Sequence, residues 1–166
     1  MDKNNKFLLQ LNIKNFFCLL IVLITFSLDR LSKTKIIELQ INDSALFINQ
    51  YINLDLVWNT GIGFGLLRSD STIIYNLITG LICIVITFLI YLIYKSKIVD
   101  KILFSLILGG ALGNVYDRLT YFAVPDFIDL HYKNFHWFTF NIADIFITVG
   151  ILVFITKDLI RHDEKN

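Results

Sequence analysis

The sequence predicts an all-α polytopic membrane protein: four transmembrane helices with a small extracytoplasmic β-sheet, in a single integral membrane domain over residues 1–166. Three observations carry this reading. Hydrophobic residues make up 55% of the chain and charged ones 17%, with a mean hydropathy of +0.64, far from a soluble domain. Four apolar runs each approach the ~20 residues that cross a bilayer. Between the first two runs the hydrophobic period falls from helical to two, as in a half-buried strand.

The first helix is expected over residues 15–37. Lys3, Lys6 and Lys14 precede its apolar run as in a signal peptide, but no small-x-small cleavage site follows. The run instead meets Asp29-Arg30 and continues as L-S-K-T-K-I-I, an uncleaved helix with a polar far end. Asp29 and Lys33 are i and i+4 and can pair, which reads as an interfacial ion pair. Residues 40–68 form the β-region. In it Ile52, Leu54, Leu56 and Trp58 alternate with Tyr51, Asn53, Asp55 and Val57, a strand with one buried face. Asn59-Thr60-Gly61 reads as a turn, and Gly61, Gly63 and Gly65 permit close approach of a backbone or ligand.

The second helix is expected over 71–94, where Thr72 to Tyr94 carries no charge. A basic loop with Lys95, Lys97 and Lys101 leads to the third helix, 102–119. Gly109 and Gly113 form a G-x-x-x-G, read as close helix packing. Asn114, Asp117 and Arg118 then sit at i, i+3 and i+4, on one helix face. An extracytoplasmic loop, 120–137, contains Asp126 directly after Pro125. The fourth helix is expected over 138–157, with Lys157, Arg161 and Lys165 in its tail.

Asp144 stands out. A carboxylate within a membrane-spanning helix costs roughly 2.5–3.5 kcal/mol on insertion scales, so it marks function and needs a partner. Asp126 is the best partner available, and two converging acids point to shared-proton chemistry. Cys18 and Cys83 lie in apolar runs at different heights and read as small buried hydrophobes, not a disulfide. His131 and His136 lack metal-ligand spacing, so no metal ligand and no cofactor is assigned. No basic cluster with interleaved aromatics offers a nucleic-acid surface.

Charge placement predicts the orientation. The N-terminal segment, the 95–101 loop and the C-terminal tail carry nine Lys/Arg, against six on the other side. The positive-inside rule then puts both termini in the cytoplasm. Asp29, Lys33, Asn59, Asn114, Asp117, Asp126 and Asp144 all fall near the outer face, a convergence expected of an active site.

With those residues in place, the chain resembles the lipoprotein signal peptidases (signal peptidase II, prolipoprotein signal peptidase). D-R-L-S-K at 29–33, N-T-G-I-G-F at 59–64, G-G-A-L-G-N-V-Y-D-R at 109–118, V-P-D-F at 124–127 and F-N-I-A-D at 140–144 carry the resemblance, in the family's order. Arg30 stands where Gln is frequent, Gly63 where Ala is expected, and Pro125 where an apolar residue is more usual. The resemblance implies a membrane-embedded aspartic endopeptidase of the bacterial inner membrane. It would remove signal peptides from diacylglyceryl-modified prolipoproteins, cutting before the lipid-modified cysteine. Asp126 and Asp144 would be catalytic. Asn59, Asn114, Arg118 and Asn141 would orient substrate or dyad, and Asp29 and Lys33 would stabilise the outer helix ends. Asp117 would pair with Arg118 or another nearby cation, and the glycine-rich sheet of residues 51–68, Gly61 included, would cradle the substrate. Its implied partners are prolipoprotein substrates and membrane lipid, with no obligate protein partner. The alternatives are a small proton-coupled transporter or channel, or a scaffold held by helix packing.

Overall fold

The computed structural model describes residues 3–39, 45–61 and 72–163. Its elements are α1 (Lys3–Leu39), β1 (Leu46–Asn49), β2 (Ile52–Asn59), α2 (Thr72–Lys95), α3 (Ile98–Tyr121), β3 (Val124–Tyr132), β4 (Phe135–Phe140) and α4 (Ile142–Asp163). Among the described residues, three helices are long and apolar enough to cross a membrane: Ile13–Leu39, Thr72–Lys95 and Ile98–Tyr121. α4 has an apolar middle, but Asp144 sits at its start and Lys157, Asp158 and Arg161 near its end.

α3 is the most buried helix, and α1, α2 and α4 all pack on it. Small residues make this possible. A Cβ on Gly113 would run into the Asp29 carboxylate of α1, and one on Gly109 into Thr25, one turn away on the same α1 face. This is the close packing that G-x-x-x-G leads one to expect. On the opposite flank a Cβ on Gly110 would lie 2.7 Å from the Ala143 carbonyl oxygen of α4. Ile86 and Leu89 of α2 meet Phe104, Ile107 and Leu108 of α3 in the apolar core. Cys18 is buried, whereas Cys83 is exposed on α2, so only the first behaves as a buried hydrophobe.

The four strands form one antiparallel sheet in the order β1-β2-β3-β4. Several bounds differ from the sequence reading. α1 begins at Lys3 rather than at 15, because the polar, lysine-bearing segment before the apolar run is helical too, and α3 spans 98–121 rather than 102–119. The expected 120–137 loop is largely a hairpin, and α4 starts at Ile142 rather than at 138. F-H-W-F-T-F at 135–140 runs into the apolar helix without a break, and a short apolar run does not reveal its own period. It pairs with β3 across a two-residue turn in which Lys133 takes φ 55°.

A further difference is a phase change within β2. Its pairing with β3 shifts between Leu54 and Val57, so an extra residue is inserted on β2. A bulge of this kind reverses which residues face inward. Trp58, expected inside, is 42% exposed, and Asn59 is buried instead. The bulge thereby aims Asn59 at Asp126. The expected glycines Gly63 and Gly65 lie outside the described residues, as does the start of the expected β-region at 40–44.

Candidate active site

Asp126 comes from strand β3 and Asp144 from the first turn of α4, with β4 between them in the chain. Asp144 is the third residue of that helix rather than an acid deep within it. Its backbone N–H donates to Asn141 Oδ1 at 3.1 Å, and its own Oδ2 accepts from the Asn141 N–H at 3.2 Å. This is a reciprocal capping box with an amide at the cap and an acid three residues on. The helix start stabilises a negative group there.

Asn141 ties the two acids together. While its oxygen caps α4, its Nδ2 donates to Asp126 Oδ1 at 2.6 Å. Asn59 Nδ2 donates to the other Asp126 oxygen at 2.8 Å, and the Asn59 oxygen accepts from the Gly61 N–H at 2.8 Å. Both amides are thus locked with their nitrogens toward Asp126. Asp126 is only 2% exposed. Burial, and next the neighbouring Asp144 carboxylate, push its pKa up to about 7, against the pull of the Asn59 and Asn141 hydrogen bonds and the Lys33 charge. A carboxyl held so can keep a proton near neutral pH.

Behind the acids lies a buried ionic network. Asn114 Nδ2 donates to Asp144 Oδ1 at 2.9 Å, and Asn114 Oδ1 accepts from Lys33 Nζ at 2.8 Å. Lys33 also reaches Asp29 at 2.9 Å and Asp117 at 2.7 Å. Asp29 and Lys33 are both fully buried, so their pairing is not interfacial. The second Asp29 oxygen accepts from the Ala143 N–H at 3.0 Å, adding a cap to α4 from α1. Arg30 bridges Asp29 and Asp117 and lies 4.8 Å from the centre of the Tyr116 ring.

The three polar residues on α3 therefore serve different partners. Asp117 pairs with Lys33 and Arg30, not with Arg118. Arg118 donates to the Gly61 carbonyl and packs over the Tyr75 ring, whose hydroxyl donates to the Arg118 carbonyl at 2.9 Å. Its Nε and Nη1 are buried without a hydrogen-bond partner among the described residues. Arg118, Asn59, Asn114, Asp126 and Asp144 line one end of a cavity of about 480 Å³. Apolar residues of α2, α3 and α4, among them Leu81, Val85, Ala111 and Ile151, line the rest.

The arrangement is two acids at the polar end of an apolar slot between helices. A family model described as "Signal peptidase (SPase) II" matches residues 21–160. The chain belongs to the signal peptidase II family. Among relatives of this family, the lipoprotein signal peptidase of Pelagibacter ubique (strain HTCC1062) is 46% identical over 159 residues, 94% of this chain and 96% of that protein. That of Anaplasma phagocytophilum (strain HZ) is 36% identical over 156 residues, 92% and 98% of the two chains. A bacterial membrane enzyme solved by the in meso method at 2.3 Å resolution superposes with a TM-score of 0.75 at 28% identity, covering 90% of this chain and 92% of its own.

For this signal peptidase II chain the structure brings together all ten of the residues singled out from sequence: Asp29, Lys33, Asn59, Gly61, Asn114, Asp117, Arg118, Asp126, Asn141 and Asp144. Sequence reasoning missed Arg30 as a bridge between two buried acids; its place inside D-R-L-S-K was the available signal. It also missed Tyr75, which nothing in its apolar surroundings marks. A third omission is the meeting of Asp129, His131 and His136 on the hairpin, where no metal ligand was expected.

Proposed function

We propose that this chain is a membrane-embedded aspartic endopeptidase that removes signal peptides from diacylglyceryl-modified prolipoproteins, cutting before the lipid-modified cysteine. The single observation that carries it is the pair Asp126 and Asp144, joined through Asn141 at the polar end of an apolar slot. The names of the relatives supply the substrate class.

The two carboxyls hold one proton between them, because like charges so placed cannot both ionise cheaply. The ionised partner takes a proton from water as that water attacks the scissile carbonyl, and the protonated partner donates to the developing oxyanion. The dyad titrates as a unit, so neither acid is assigned the base role alone. Asn59 and Asn141 hold Asp126, and Asn114 holds Asp144. Arg118 lines the cavity, and its Nε and Nη1, unpaired among the described residues, leave it N–H groups that suit a substrate carbonyl. Gly61 positions Arg118, while Asp29, Lys33 and Asp117 brace the helices behind the dyad.

α4 acts as the fourth span, with both termini cytoplasmic and the dyad near the outer face of the bacterial inner membrane. The nine-to-six Lys/Arg asymmetry of the sequence supports that orientation. The slot would take the apolar signal segment while lipid stays in the bilayer. The chemistry uses no metal or cofactor. No observation favours the transporter alternative. The test is to incubate the purified chain with a lipid-modified precursor and its unmodified twin. Cleavage of the modified one before its cysteine is expected; cleavage of neither by folded protein refutes the reading.

A further inference from the structure

The β3–β4 hairpin holds a second polar cluster on the strand face opposite the dyad. Side chains alternate along a strand, so Asp129 and His131 share one face of β3 while Asp126 lies on the other. His131 and His136 are direct cross-strand partners, and their rings stack with centroids 5.3 Å apart. Asp129 Oδ2 lies 2.7 Å from His136 Nδ1 and 3.8 Å from His131 Nδ1. One donor atom from each residue falls within 4.8 Å of the other two.

A plain Asp–His hydrogen bond explains only half of this. It satisfies His136, but the His131 side chain is 7% exposed and its Nδ1 is buried with no hydrogen-bond partner among the described residues. A buried ring nitrogen facing a carboxylate across 3.8 Å is too far to bond it and too dry to be satisfied by bulk water. The His131 backbone is held in place by its N–H, which donates to the Tyr51 carbonyl at 2.9 Å.

We propose that Asp129, His131 and His136 bind a divalent transition cation of the zinc class. Tetrahedral coordination at about 2.0–2.2 Å puts ligand atoms about 3.3–3.6 Å apart. The two nitrogen–carboxylate distances, 2.7 and 3.8 Å, straddle that spacing, so small side-chain rotations suffice. Two imidazoles with one carboxylate suit zinc and its neighbours better than calcium or magnesium, which take all-oxygen sets. His136 is 57% exposed, which gives the ion an entry path and leaves a coordination position for water. The cation fastens β4 to β3, the strand that also carries Asp126. It is a structural clamp, independent of the peptidase reading and of the dyad chemistry.

The test uses the full chain in detergent, purified without a polyhistidine tag and stripped of metal. Zn²⁺ uptake is measured by equilibrium dialysis, and Co²⁺ is added as a spectroscopic probe. The wild type is expected to take up about one equivalent of Zn²⁺ and to show the visible bands of low-coordinate Co²⁺. Loss of an outer partner alone costs roughly 10–100-fold in affinity, so His131→Ala and His136→Ala should each weaken binding by more than about 100-fold. His162→Ala, in the tail, should bind as the wild type does. Far-UV circular dichroism and monodisperse elution establish folding; if His131→Ala fails to fold, the exposed His136 decides alone. No saturable uptake by folded wild type, uptake unchanged in His136→Ala, or loss of uptake in His162→Ala overturns the proposal.

Discussion

Replacing Asp126 by Asn should change stability in opposite directions at acid and alkaline pH. In the folded chain the Asp126 pKa is raised from 3.8 to about 7. The folded state therefore binds its proton more tightly than the unfolded state does. The associated stability is fully present below the unfolded value, is lost as pH rises through the folded one, and is gone above about 7. At roughly 1.36 kcal/mol per pH unit, that difference amounts to about 4 kcal/mol as an upper bound. The amide cannot titrate, so it escapes this penalty. It has a cost of its own, because its NH₂ must face the Nδ2 of Asn59 or Asn141, both locked by bonds to Gly61 and Asp144. One mismatched buried donor costs about 1–3 kcal/mol. Asp126→Asn should thus be less stable than the wild type near pH 4 and more stable near about pH 8.5, the gap swinging by up to about 4 kcal/mol. Thermal midpoints across that range, read by intrinsic fluorescence in detergent, are the assay. Parallel pH curves for the two proteins would refute the reasoning about Asp126.

Three further outcomes follow from the packing. Lys33→Met leaves Asp29 and Asp117 buried with Arg30 as their remaining cation, and should lose about 3–5 kcal/mol. Adding Asp117→Asn should recover part of that loss; no recovery in chemical denaturation would show that the unpaired acid is not the cause. Arg118→Met should lower turnover severely, and Arg118→Lys should restore only part, since an ammonium lacks the planar fork that reaches Gly61 and the cavity together. Full activity of Arg118→Met would remove Arg118 from substrate contact. Gly113→Ala should destabilise strongly by pressing on Asp29, whereas Gly80→Ala, with nothing within 4 Å of the new methyl, should be neutral or stabilise by up to about 1 kcal/mol. Equal thermal midpoints for the two variants would contradict the close α1–α3 contact.

What was legible in the sequence was chemistry carried by spacing. Asp144 in an apolar run, Asn114 and Asp117 one turn apart, and the strand period near residue 52 all announce themselves within a few neighbours. What was not legible depends on partners distant in the chain. An i, i+4 pair looks the same on a surface as in a core, so the complete burial of Asp29 and Lys33 required α3 and its glycines. Asn141 looked like the interior of a helix because F-H-W-F-T-F merges with α4, which hid both the cap and the hairpin. The bulge in β2 reversed Trp58 and Asn59, since alternation reports a strand but not where its phase slips. His131 and His136 have no ligand spacing of their own; a two-residue turn makes them neighbours.

In the proposed mechanism Asp126 and Asp144 perform the cleavage together. The most direct measurement compares Asp126→Asn, Asp144→Asn and the wild type on a lipid-modified precursor, each confirmed folded and membrane-inserted. The wild type is expected to release the signal peptide before the modified cysteine, with kcat/KM declining as pH rises past about 7 and the shared proton is lost. Both variants should be inactive at every pH. Robust turnover by either folded variant would contradict the dyad.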